Sequence, residues 1–206
     1  RDGIPLRRSR LIPLPTTAGT GSEATQFAVV YMNGQKYSLD HPTLLPDVAL
    51  IDPCLTQALP PSVTAATGLD ALCQAIESIW AVRANDESVE LALQAVAMAS
   101  QSLVDATRRP TLAAREAMCR ASHLAGQAIN ITRTTGCHAL SYAITSTHGI
   151  PHGIAVALTL IPMLRFNGAI SDDDCIDPRG AHAVRNRIDR LLKALDSSSI
   201  NDACDK

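Results

Sequence analysis

A mainly α chain, with a short strand-rich strip ahead of an all-helical body, is the fold class that three features of the sequence predict. Of the 206 residues, 46% are apolar but only 3% aromatic, and Ala and Leu are abundant, which suits closely packed helices better than aromatic-rich strands. Beyond Pro60 the apolar residues recur at helical spacing. Ahead of it they fall in short runs bounded by Gly, Pro, Asn and Asp.

The opening is read as extended: apolar runs at 11–13 and 27–32 flank a Thr/Gly-rich stretch, and Asn33-Gly34 marks a hairpin turn. The run 48–51, between Pro46-Asp47 and Asp52-Pro53, is expected to be one more buried strand. Ser62 is the candidate N-cap of a first helix carrying Ala66, Leu69, Leu72, Ile76 and Ile79 on its apolar series. A second helix is expected over 86–106 and a third over 110–129, with Pro110 in its first turn. After a polar break at 132–136 come a helical segment at 138–144, a sharp turn at 149–153 and a helix over 154–164. The charged tail from Ser171 is interrupted by Pro178-Arg179-Gly180 and predicts a helix over 181–195.

Composition also excludes. A net charge of -2 and a pI near 6.3, with no run of Lys and Arg, offer no field for a nucleic acid. The apolar run 154–160 is far short of the roughly 20 residues that span a bilayer, so no membrane segment is expected. The basic stretch 1–10 is not followed by the long apolar segment of a signal peptide. Six scattered cysteines without a CxxC pair read as reduced thiols in a cytoplasmic protein. The chain opens at Arg1-Asp2-Gly3 without an initiator Met and is expected to be part of something longer.

Four residues have the chemistry of metal ligands. Asp70 and Gln74 stand four apart in a helical stretch, so both project from one face, one turn apart. His138 and His152 flank a short helix and a turn, the second beside Gly153 where a new helix starts. A carboxylate, an amide and two imidazoles form a shell for a divalent ion, although each His alone reads more often as an ordinary core or surface residue. The loop Thr16-Thr17-Ala18-Gly19-Thr20-Gly21-Ser22 offers hydroxyl and backbone N–H groups to a phosphate or ribose. Gly19-x-Gly21-x-x-Ala24 inside it imitates a dinucleotide fingerprint, but no strand-turn-helix unit with an acid about 20 residues later accompanies it, so the Rossmann reading is rejected here.

Pro15-Thr16-Thr17-Ala18-Gly19-Thr20-Gly21-Ser22-Glu23, Gly68-Leu69-Asp70-Ala71-Leu72, Ala75-Ile76-Glu77 and Pro151-His152-Gly153 together resemble the iron-containing (group III) alcohol dehydrogenases, in matching order from Leu11 to about Asn167. The resemblance implies a dehydroquinate-synthase-like helical C-terminal domain over 59–206, itself truncated, preceded over 1–58 by strands left from an α/β nucleotide-binding domain. It implies a divalent metal, Fe2+ or Zn2+, held by Asp70, His138, His152 and the position of Gln74, where most of the family has His. Thr16, Thr17 and Thr20 become cofactor candidates for NAD or NADP, with Lys36 after the hairpin turn a weaker one. The family's Gly-rich pyrophosphate loop lies upstream and is absent from this sequence, so the chain as given is expected to bind NAD(H) or NADP(H) poorly. Tyr142, where the family often has a His near the nicotinamide, and His148 are the candidate proton donors.

Within the family, 72–80, 125–132 and 149–153 are most similar to the subgroup of phosphonoacetaldehyde reductases in phosphonate biosynthesis, and Arg133 is then the candidate for the substrate's phosphonate. The expected activity is hydride transfer between NAD(P)H and a small aldehyde or alcohol, with a homo-oligomer expected from the family. Two rivals are a dehydroquinate-synthase-like lyase, which would need a Lys- and Arg-lined pocket, and a truncated, non-catalytic homologue.

Overall fold

A computed structural model describes residues 7–33 and 35–205, with only the backbone of Tyr31, Gln35 and Lys36. The strip ahead of the helices is sparsely bonded. β1 (Phe27–Met32) and β2 (Gln35–Asp40) pair antiparallel, from Phe27 opposite Asp40 to Met32 opposite Gln35. Asn33 sits at φ +53°, the left-handed conformation that a tight two-residue hairpin turn demands. The buried strand expected at 48–51 does not form: the sheet among the described residues is two-stranded, and Val48 and Leu50 are 51% and 52% exposed. An apolar run becomes a buried strand only when a neighbour takes up its N–H and C=O groups. Here the Asp47 and Leu50 N–H groups reach only the Leu11 and Pro13 carbonyls of the opening segment, each at 3.0 Å.

The helical body begins at α1 (Pro61–Trp80), which starts on Pro60-Pro61 without a side-chain cap. Proline has no N–H to lose in a first turn, so Ser62 lies inside the helix rather than capping it. α2 (Asp86–Arg108) is closed by a capping box in which Asn85 Oδ1 accepts from the Ser88 N–H at 2.8 Å and Ser88 Oγ from the Asn85 N–H at 3.0 Å. α3 (Leu112–Thr132) is capped by Thr111, two residues inside the expected start at Pro110. α4 (Gly136–His148) outruns its expected span, and the single helix expected over 154–164 is two, α5 (His152–Ala157) and α6 (Leu160–Gly168). The break falls at Leu158-Thr159: Pro162 has no N–H to give the Leu158 carbonyl and its ring crowds it, and the Thr159 hydroxyl donates to the Val156 carbonyl at 3.0 Å. α7 (Ala181–Ala194) matches its expected span, whereas α8 (Ile200–Asp205) was not anticipated.

α1, α2 and α3 meet through alanines. Ala71 and Ala75, Ala92, Ala95 and Ala99, and Ala121, Ala125 and Ala128 are each at most 1% exposed. Small side chains let the helices approach closely and cost no rotamer entropy on burial. Ile76, Ile79, Val96, Val184, Ile188 and Leu191 fill the remaining volume and bring α7 onto α1 and α2. No helix among the described residues is long and apolar enough to cross a membrane.

The buried Asp177 carboxylate ties the tail to this body. It accepts from Arg179 Nε at 2.8 Å and from Arg187 at 2.6 Å, while Arg179 also donates to the Ala84 carbonyl and, at 2.9 Å, to that of Val82. The α1–α2 turn and the start of α7 thus share one ion cluster. Hydrogen bonding to Arg179 above all, with Arg187 adding to it against the upward push of burial, holds the Asp177 carboxyl well below the usual range. A depressed folded-state pKa contributes stability in full above the unfolded value of about 3.9, and that contribution is lost as pH falls from there through the folded-state value. Asp177→Ala is therefore expected to cost about 3–5 kcal/mol in urea titrations at pH 7, and Asp177→Asn to flatten the loss of stability below about pH 4. An Ala variant as stable as the parent would exclude the clamp.

Candidate metal centre

α1 carries Asp70 and, one turn on, Gln74, both buried; α5 packs on this helix, and α4 reaches Asp70 through His138. α5 approaches so closely that a Cβ on Gly153 would lie 1.8 Å from the Ala66 carbonyl oxygen and 2.9 Å from the Asp70 nitrogen. Only glycine permits this contact, and it delivers the preceding residue, His152, to Asp70: His152 Nε2 lies 3.7 Å from Asp70 Oδ1. His138, in the first turn of α4, approaches from the other side, its Nε2 3.2 Å from the same oxygen. The two imidazoles meet edge to face, with ring centroids 5.5 Å apart.

One atom each from Asp70, His138 and His152 lie within 4.8 Å of one another. Ligands of a tetrahedral ion with bonds of about 2.0–2.2 Å stand about 3.4 Å apart, so the 3.2 and 3.7 Å separations already approximate two edges of such a shell. Gln74 Oε1 is buried without a hydrogen-bond partner, although an orphaned amide oxygen costs about 1–3 kcal/mol. An oxygen left unpaired one turn from Asp70 suits a fourth donor. Carboxylate, two imidazoles and amide oxygen are therefore a donor set that fits a divalent transition metal.

Sequence reasoning gave Glu77 no role, and the structure puts it at the centre. It is wholly buried. Its Oε1 accepts from the Thr135 N–H at 3.1 Å, the Thr135 hydroxyl at 2.6 Å and the Cys137 N–H at 2.8 Å, while Oε2 pairs with His138 Nδ1. Trp80 Nε1 donates to the Thr135 hydroxyl at 3.0 Å, so α1 grips the start of α4 twice. The available signal was spacing: Asp70, Gln74 and Glu77 fall at i, i+4 and i+7 on one helical face. Burial alone would lower the His138 pKa, but hydrogen bonds to Asp70 and Glu77 together lift it to about 9. Burial raises the Glu77 carboxyl, and the hydrogen bonds from His138, Thr135 and Cys137 more than reverse it. Next to these, burial and Glu77 push the Cys137 thiol up to about 12.

The other expected residues are more dispersed. Tyr142 is half-exposed one turn after His138, its ring stacked on His152 at 6.1 Å and 9°. His148 is exposed at the far end of α4. The Thr-rich loop is anchored against α1 and α3, since Gly19 abuts Thr67 and Gly21, at φ +59°, abuts Gly126. Thr16 and Thr20 are exposed there and Thr17 half-buried, with the Thr20 hydroxyl donating to Ser22 Oγ at 3.1 Å. The side chain of Lys36 lies outside the described residues. Arg133, a non-glycine at φ +69°, is engaged by the hairpin: it bonds the Asp40 carboxylate at 2.6 Å and the Asn130 carbonyl at 2.5 Å and lies 4.1 Å over the Phe27 ring.

The C-terminal profile of the Fe-containing alcohol dehydrogenase family matches residues 64–206, and the iron-containing alcohol dehydrogenase profile matches residues 3–53. The chain is 41% identical over 189 residues to the phosphonoacetaldehyde reductase of Streptomyces viridochromogenes, covering 90% of this chain and 48% of that one. It is 37% identical over 186 residues to a 1-propanol dehydrogenase of Salmonella typhimurium, covering 89% and 47%. Among solved structures, it is similar to the NAD+ complex of sulfoacetaldehyde reductase from Bifidobacterium kashiwanohense, with a TM-score of 0.78 and 36% identity over 94% of this chain and 54% of that one. The iron-containing alcohol dehydrogenase of Thermotoga maritima gives a TM-score of 0.80 at 28% identity, over 95% and 50%. The chain thus spans about half the length of the relatives it matches.

Gly153→Ala is expected to push α5 off α1 and carry His152 away from Asp70. Chelator competition with Zn2+ should then show affinity lower by about tenfold or more, beside a stability loss of about 1–3 kcal/mol. Parental affinity in a folded Gly153→Ala variant would count against His152 as a ligand.

Proposed function

The chain belongs to the Fe-containing alcohol dehydrogenase family, and from that premise we propose that it forms the metal-binding part of a dehydrogenase moving hydride between NAD(P)H and a small aldehyde. The observation that carries this reading is the convergence of Asp70, His138 and His152 beside the orphaned amide of Gln74. These four residues would hold the divalent ion, iron in the first instance. When bound, the ion supplies Lewis acidity toward an aldehyde oxygen, and the reduced nicotinamide supplies the hydride.

The chain's own residues would do the rest. Asp70 brings the negative charge of the shell, and the two imidazoles fix its shape. Tyr142, stacked on His152, would hand a proton to the nascent alcohol; His148, six residues further along α4 and about 120° away around it, is the weaker candidate. Thr16, Thr17 and Thr20 offer hydroxyls to the cofactor from a loop anchored one turn before Asp70. Residues 1–58 are read as the end of a nucleotide-binding domain and 59–206 as the metal-binding domain of a cytoplasmic homo-oligomer.

Phosphonoacetaldehyde is the favoured substrate, reduced to 2-hydroxyethylphosphonate in phosphonate biosynthesis. Both reductases similar to this chain are named for two-carbon aldehydes bearing a tetrahedral acid group. Arg133 is the candidate contact for that group. Its partner Asp40 is about half exposed, and such an ion pair contributes only about 0–1 kcal/mol, so a phosphonate dianion can displace it. The relatives named above are dehydrogenases and reductases, and nothing observed favours a lyase.

With the full-length protein in its metal-loaded form, phosphonoacetaldehyde should be reduced with a kcat/KM at least about a hundredfold above that for propanal. Asp70→Ala should lose its metal and at least about a hundredfold in turnover with either aldehyde. Preference for propanal would discard the phosphonate reading and leave the dehydrogenase; a fully active Asp70→Ala would discard both.

A further inference from the structure

The buried Glu77 meets His138 from behind the proposed ligand set. It touches none of the space between Asp70, His138 and His152, yet its two oxygens meet four donors: the Thr135 N–H and hydroxyl, the Cys137 N–H, and His138 Nδ1. An ionised carboxylate only accepts hydrogen bonds, so this arrangement requires the Nδ1 of His138 to carry its hydrogen. A neutral imidazole protonated at Nδ1 has its lone pair at Nε2. That nitrogen lies 3.2 Å from Asp70 Oδ1. We propose that Glu77 is a positioning residue that fixes His138 in the one tautomer able to ligate a metal. The inference rests on the metal-centre reading given above, but it concerns a residue outside the ligand set.

The geometry supports more than a structural cap. The α4 N-terminus needs acceptors for its first N–H groups, and Oε1 alone takes those of Thr135 and Cys137. Oε2 serves His138 instead. Orientation and tautomer are thus set by the same carboxylate that sets the start of the helix. Carboxylate partners of this kind also raise the basicity of the ligating nitrogen.

Glu77→Gln separates the two roles because its shape is conserved while its hydrogen-bonding inventory is not. The amide has one acceptor oxygen and one NH2 group. Turning NH2 toward Thr135 and Cys137 would set it against two backbone donors, so the oxygen stays there and NH2 faces His138 Nδ1. Nδ1 must then accept, and the ring hydrogen moves to Nε2, where it can donate to Asp70. In the metal-free protein every one of these groups remains satisfied. The metal, however, meets an N–H where it needs a lone pair.

The test uses the full chain, parent and Glu77→Gln, with Zn2+ competed against a chelator and the His138 ring read by 15N-detected NMR. The variant should melt within a few degrees of the parent when metal-free and bind Zn2+ about 10- to 100-fold more weakly; at a pH above about 9, where the metal-free ring is neutral, the ring hydrogen should sit on Nδ1 in the parent and on Nε2 in the variant. Equal Zn2+ affinity, or an unchanged ring tautomer in a folded variant, would overturn the proposal. If the parent itself bound no divalent ion, the proposed metal centre would fail, while the ring tautomer in parent and variant would still decide what Glu77 does.

Discussion

A carboxylate buried without water must be met by donors, and the placement of Glu77 inside α1 turns that requirement into an organising constraint. The effective penalty for burying such a charge is several kcal/mol. It is offset here only because the chain breaks after α3, turns, and begins α4 with its N–H groups aimed at Oε1. α4 therefore cannot start one residue earlier or later, or slide along α1, without leaving the carboxylate short of donors. His138, in the first turn of α4, inherits that precision. The Ser78–Thr132 hydroxyl pair at 3.0 Å and the Trp80–Thr135 bond reinforce the same junction from one turn of α1.

The second constraint is distance. Three helices meeting through alanine leave no slack for a large ligand-bearing side chain to find its own way, so backbones must be brought close instead. Gly153 does this for α5, and the Gly21–Gly126 contact does it for the Thr-rich loop against α3. Metal candidates and cofactor candidates are thereby supported by different surfaces of one α1–α3 body. The hairpin is joined to it near the α3–α4 break, where Arg133 is held at a left-handed φ by Asp40, Asn130 and Phe27. Holding a non-glycine there costs on the order of 1–3 kcal/mol, which the surrounding contacts must offset.

Much of this was legible in the sequence, for reasons specific to each element. Asn33-Gly34 encodes its turn locally, and helices as long as α1, α2 and α3 display their period over many residues. Asp70, His138 and His152, singled out as ligand candidates by residue type and neighbours, do converge in space. The segment 48–51 misled because a β pattern says nothing about whether a partner strand is present. The α5–α6 break was overlooked inside an apolar run, although Pro162 lacks the N–H that the Leu158 carbonyl would need and the Thr159 hydroxyl adds a competing bond. Glu77 was invisible as a functional residue because its partners, Thr135, Cys137 and His138, are about 60 positions away in sequence and meet it only after α4 folds back on α1.

Gln74 stands where the resemblance puts a third His, and the consequence for the proposed centre follows from ligand chemistry. Histidine and glutamine are both neutral, so the exchange leaves the charge of the shell unchanged, with Asp70 its single anion. With Gln74 in the proposed shell, what would change is hardness: three nitrogens and one oxygen would become two and two. Oxygen donors weaken the advantage that imidazole-rich sites give to zinc and copper, and they suit a harder ion such as manganese better. An amide also binds more weakly than imidazole, so more of the affinity must come from the remaining ligands. That places greater weight on the basicity of His138, and hence on the buried carboxylate behind it.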